Sequence, residues 1–144
     1  MTRDWIFVPV IVQVLLTLAV YVRLIKVKIL ELRAGRVDRD RLPLYEDAWP
    51  ASVQQINNNI RNQFELPVLF YVMCVVLWVL DAVTPLALAA AAAFAISRVV
   101  HALIHLGSNV VPHRRRAFTV GWWALAFLAV LVLWQLARRV AGLQ

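Results

Sequence analysis

The sequence predicts an all-α integral membrane protein: a bundle of four transmembrane helices. Three observations predict it. Of 144 residues 62% are hydrophobic, and the mean hydropathy of +0.73 is far above that of an ordinary globular domain. The apolar residues gather in four stretches, 5–25, 64–80, 82–106 and 117–137. A helix rises about 1.5 Å per residue, so about 20 residues match a hydrocarbon core of roughly 30 Å. Finally, most charged residues lie in the connections between these stretches.

Each element follows from local signals. The first helix is expected over about 5–32, with Gly35 marking its end. Its apolar run is longer than a signal-peptide core and no small-x-small site precedes the basic residues after Tyr21, so it reads as a retained helix. Residues 34–49 (AGRVDRDRLPLYEDAW) mix both charge signs with turn-formers, which gives a cytosolic loop over about 33–49. Pro50 opens a second helix of about 50–80, whose apolar part is short, so its first half is expected in or near the headgroups. Thr84 and Pro85 start the third helix, about 84–107, in which the AAAAAF run at 89–94 reads as a small-residue packing face. Pro112 precedes the fourth, about 113–140, and the whole chain, 1–144, reads as one domain.

The net charge of +7 and pI near 10.8 come from where the cations sit. Lys26, Lys28, Arg33, Arg36, Arg39 and Arg41 follow the first helix, and Arg114, Arg115 and Arg116 precede the fourth. Both connections lie on one side of a four-helix array, so the positive-inside rule makes them cytoplasmic and puts both termini outside. Topology thus accounts for the basicity; anionic lipid headgroups are the expected partners, and nucleic acid is not. The lone Cys74 can form no intrachain disulfide and reads as an inert packing residue. No Gly-rich phosphate loop, CxxC pair or nucleophile elbow is present.

One polar constellation stands out. On the second helix Asn58, Asn62 and Glu65 fall within an arc of about 60°, with Arg61 at its margin. A carboxylate at the depth of Glu65 costs several kcal/mol against lipid, so the stripe is expected to face the bundle interior. Pro67 frees the carbonyl of Gln63 and is expected to kink the helix there. On the third helix Arg98, His101 and His105 also share an arc of about 60°, and a Glu65–Arg98 ion pair would satisfy both charges. Asn58, Arg61, Asn62, His105 and Arg114 read either as a solvated helix end or as a site convergent on a ligand with carboxylates and amides. His101 and His105 form H-x-x-x-H, but with only His113 besides and no further acid nearby a metal is not expected.

RNQFELP at 61–67, RVVHALIHLG at 98–107 and the basic segment after Pro112 resemble the membrane-associated proteins in eicosanoid and glutathione metabolism, the MAPEG family. That family includes microsomal glutathione transferases and the leukotriene and prostaglandin E synthases. The resemblance covers nearly the whole chain. It implies a homotrimer, a bacterial member in the inner membrane, and glutathione held between neighbouring subunits near the cytosolic face. It further implies that Asn62 and Glu65 contact the tripeptide, that Arg61 matches an arginine of the prostaglandin branch, and that Arg98 and His101 are the family's R-x-x-H. Arg114 matches the catalytic arginine that stabilises the glutathione thiolate. His105 and Phe118 stand where tyrosines are common, and Asn58 stands where active members usually carry an arginine. The implied activity is conjugation or reduction of a lipophilic electrophile. The alternative is a non-catalytic protein of the same fold that holds another anionic ligand or a lipid headgroup in that pocket.

Overall fold

The computed structural model describes residues 2–142. A 3-10 turn, Arg3–Ile6, runs into α1 (Phe7–Arg33); α2 (Ala51–Gln63), α3 (Leu66–Val79), α4 (Pro85–Leu106) and α5 (Val111–Val140) follow. These make four segments long and apolar enough to cross a membrane, with α2 and α3 forming one of them. No strand occurs among the described residues.

Local chemistry sets the ends. Gly35 takes a positive φ of 68° just past α1, and the Thr84 hydroxyl accepts the Ala87 N–H at 3.2 Å to open α4. The second helix expected over 50–80 differs from the structure: it is broken at Phe64 and Glu65, where Glu65 sits at φ −92°, ψ −101°. Pro67 has no N–H to give to Gln63, so α2 stops there. The proline falls in the first turn of α3, where a missing donor costs nothing.

α4 is the central helix, packed most extensively on α5 and also on α1 and α2. Its apolar core toward the chain termini joins Phe70, Cys74 and Leu77 to Ala87, Ala91, Phe94, Leu125 and Leu128, with Phe70 and Phe94 stacked at 4.3 Å. A smaller cluster of Val20, Leu24, Val53 and Ile56 lies at the basic end. Between them runs a buried polar layer of Gln13, Asn59, Gln63, Ser97, Arg98, His101 and His105. The outer faces carry exposed Leu15, Leu18, Ile25, Leu103, Leu133 and Trp134, an apolar surface suited to lipid contact.

α5 reaches α4 closely at Gly121, where a Cβ would lie 2.5 Å from the Ser97 Oγ. Gly121→Ala should therefore lower stability by about 1–3 kcal/mol. The same change in a Ser97→Ala background should cost far less, because only the hydroxyl obstructs; thermal unfolding of the two pairs in detergent checks this.

Candidate functional site

The break between α2 and α3 leaves the carbonyls of the last turn of α2 without helical donors. One of them is used from outside: Arg98 on α4, fully buried, donates from Nη2 to the Asn62 carbonyl at 2.8 Å. The partial negative charge of a helix C-terminus complements a guanidinium there. The Arg98 Cζ lies 5.7 Å from the Phe118 ring centroid, while Nε and Nη1 are buried without a partner. One turn along α4, His101 Nδ1 lies 3.1 Å from the Arg114 carbonyl. A carbonyl only accepts, so Nδ1 carries a proton and, in the neutral ring, Nε2 is a buried acceptor with no partner. His101 also contacts the rings of His105 and Phe118, at 5.7 and 5.8 Å between centroids.

The start of α5 is positioned by Asn109, which adopts a left-handed φ of 52°, a conformation asparagine tolerates. Its Oδ1 accepts from Arg114 Nη1 at 2.8 Å. Asn62, His101, Val111, Arg114, Arg115 and Phe118 thereby surround one cavity of about 230 Å³. It combines two guanidinium groups, a side-chain amide and an imidazole with an aromatic wall.

Of the residues expected to form the site, Asn62, Arg98, His101, Arg114 and Phe118 come together, with His105 against His101. Two expectations are corrected. The stripe of Asn58, Asn62 and Glu65 does not face the protomer interior, since Asn58 and Glu65 are exposed and Asn62 is only half-buried. No Glu65–Arg98 ion pair forms within 4 Å among the described residues; the break turns Glu65 outward, and Arg98 takes a backbone carbonyl instead. That carbonyl belongs to Asn62, not to Gln63 as the proline alone implied. Arg61 turns to Glu46 in the connection after α1.

The face of α2 that is buried is the one through Gln55, Asn59 and Gln63, which the sequence reading passed over. Gln55 Nε2 donates to the His105 carbonyl at 2.5 Å, Gln63 Nε2 to Asn59 Oδ1 at 3.0 Å, and Gln13 Nε2 to Gln63 Oε1 at 2.6 Å. The i, i+4, i+8 spacing of these amides was the available signal.

A four-span helical bundle with a basic, amide-lined cavity at one end defines an integral membrane protein with a polar cavity. The sequence model of the MAPEG family matches residues 5–134, and the chain belongs to that family, which includes glutathione transferases and peroxidases. Comparison with curated proteins and with solved structures gave no match.

Because Arg98 is the donor that meets Asn62, Arg98→Met should destabilise the fold by about 1–3 kcal/mol by leaving the Asn62 carbonyl without its donor. Arg98→Lys should recover only part, since an ammonium cannot reproduce the guanidinium fork. Unfolding midpoints in detergent measure both.

Proposed function

We propose that the protein is a glutathione-dependent transferase or peroxidase acting on a lipophilic electrophile that arrives through the bilayer. The observation that carries this reading is the convergence of Asn62, His101, Arg114 and Phe118 on one cavity within the family-matched span. The donor set fits the ligand: guanidinium groups suit carboxylates, while the Asn62 amide and the free His101 nitrogen suit peptide groups. Glutathione supplies the thiol when bound. Arg114, the catalytic residue of this reading, holds a positive charge beside it, which favours thiolate over thiol and so the nucleophilic form. Arg98, His101 and His105 position the ligand, and Phe118 offers an apolar wall to the second substrate.

The assembly in this reading is a homotrimer with glutathione between neighbouring subunits. Two facts support it. The cavity, about 230 Å³, is smaller than the roughly 300 Å³ at which small-molecule sites begin, so one protomer supplies only part of a site. Asn58 and Glu65, exposed on the protomer, would be covered by a neighbour and would add polar groups to the ligand. In this reading the protein lies in a bacterial inner membrane, as the family resemblance implies, and the distribution of lysine and arginine makes both basic connections cytoplasmic and puts both termini outside.

The test is calorimetric titration of glutathione into detergent-purified protein, with turnover of a chlorinated nitrobenzene measured alongside. Arg114→Ala should weaken binding about ten- to a hundredfold, the loss of one charge-assisted contact, and abolish turnover while elution as a trimer is kept. Glu65→Ala should weaken binding in the same direction. A folded wild type that binds no glutathione would leave the non-catalytic reading, in which Asn58 and Phe118 mark a pocket for another anionic ligand.

A further inference from the structure

The connection after α1 folds back over the basic ends of α1 and α2 and leaves a second cleft of about 370 Å³. It is lined by Lys28 of α1, Tyr45, Glu46 and Trp49 of the connection, and Asn57 and Arg61 of α2, and shares no lining residue with the cavity beside Arg114. Two cations from different helices therefore converge on one space. Each has a weak partner. Arg61 Nη2 donates to Glu46 Oε2, but the two side chains are 58% and 71% exposed, and an ion pair so open to water contributes little. Glu46 occupies one of five guanidinium donors, so the fork can still take up a second acceptor. The Lys28 ammonium sits 4.7 Å from the Trp49 ring centroid, a contact that brings no counter-charge.

The position of the cleft says what would fill it. Lys28 lies where the apolar span of α1 gives way to the run of cations, and Trp49 and Tyr45 are residues that favour the headgroup level of a bilayer. The nearby Arg36 and Arg41 are already paired, with Glu31 and Asp47, which leaves Lys28 and Arg61 as the cations facing the cleft. A tetrahedral phosphate can accept from the guanidinium fork, the ammonium and the Asn57 amide at once. Basic pockets between spans at the cytoplasmic side are suited to such headgroups.

We propose that this cleft is a phosphate-binding site in which Lys28 and Arg61 grip the phosphate and Glu46 competes with it for Arg61. The phosphate comes from an anionic lipid headgroup or from a soluble phosphate ester, and experiment separates the two. The full chain in neutral detergent is titrated with phosphatidylglycerol, with a phosphate-free glycolipid of the same acyl chains, and with inorganic phosphate. Thermal midpoint and retained lipid by native mass spectrometry are the readouts. Wild type should prefer phosphatidylglycerol over the glycolipid, and the Lys28→Gln/Arg61→Gln protein should bind it at least about fivefold more weakly. Glu46→Gln, which needs no loss of a cation, should bind about twofold or more tightly. Arg114→Ala should behave as wild type, which keeps this site distinct from the glutathione reading. An equal response to inorganic phosphate assigns a soluble ester; a response to phosphatidylglycerol alone assigns the lipid. The proposal is overturned if wild type shows no preference over the glycolipid, if the preference survives in the doubly substituted protein, or if Glu46→Gln leaves affinity unchanged.

Discussion

The structure depends on one contact, the guanidinium of the fully buried Arg98 against the carbonyl of the half-buried Asn62. A cation inside a membrane bundle costs several kcal/mol unless something negative meets it. Here the partner is backbone rather than a carboxylate. It exists only because Pro67 ends α2 four residues earlier, and so leaves a carbonyl and the negative end of a helix at the right depth. The break and the arginine explain each other: without the break Arg98 would lose this acceptor, and without Arg98 the freed carbonyl would lose its donor. From this anchor the site is built outward. Arg98 fixes α2 to α4, the approach at Gly121 fixes α5 to α4, and Asn62 and Arg114 are brought to one cavity by those two constraints.

Much of this was legible in the sequence, because a bilayer enforces it. Four spans, their connections and the starts at Thr84 and Pro85 follow from length, apolarity and helix-start chemistry. The R-x-x-H of α4 and the basic start of α5 could also be read as neighbours. What could not be read was the direction α2 faces. Gln55, Asn59 and Gln63 form a stripe nearly as narrow as Asn58, Asn62 and Glu65, and both are polar. In a soluble helix an apolar stripe would settle the choice; at the end of a membrane span both lipid and protein interior are apolar, and polarity marks either an inner seam or an outer contact. The charge on Glu65 weighted the choice toward the wrong face. The inner seam is in fact made of neutral amides, bonded in a chain from Gln13 through Gln63 to Asn59 with Gln13 Oε1 and Asn59 Nδ2 left unpartnered, at a lower desolvation cost than a carboxylate.

Arg61 and Asn62 show the same limit over a single step of chain. They are adjacent, yet one side chain meets Glu46 while the other lines the Arg114 cavity, because successive helical residues diverge by about 100°. The partner of Arg61 was not visible beforehand, since it depends on how the connection folds. Glu46 is brought over α2 by a 3-10 turn at Glu46–Ala48 and by the Asp38 N–H bonded to the Ala48 carbonyl at 3.4 Å. Neither has a strong sequence signature. Motif resemblance would group Arg61 with Asn62, whereas the geometry divides two consecutive polar residues between two separate cavities.

The outward stripe carries the last consequence. Glu65 begins α3, whose mean composition is wholly apolar from Leu66 to Val79, and the carboxylate is exposed with no ion pair among the described residues. An isolated protomer would therefore present a charge, and the Asn58 amide about two turns before it, at the edge of the hydrocarbon. Two escapes are physically open: water reaching down from the headgroups, or cover by another polypeptide. Water serves Asn58 best, because it lies nearer the basic end. Cover by a second copy would relieve both residues together and, in the proposed assembly, would extend a cavity that one protomer only partly encloses. The position of one glutamate without an ion pair among the described residues thus ties the proposed assembly to the proposed ligand: the surface a neighbour would cover is the surface that would complete the site.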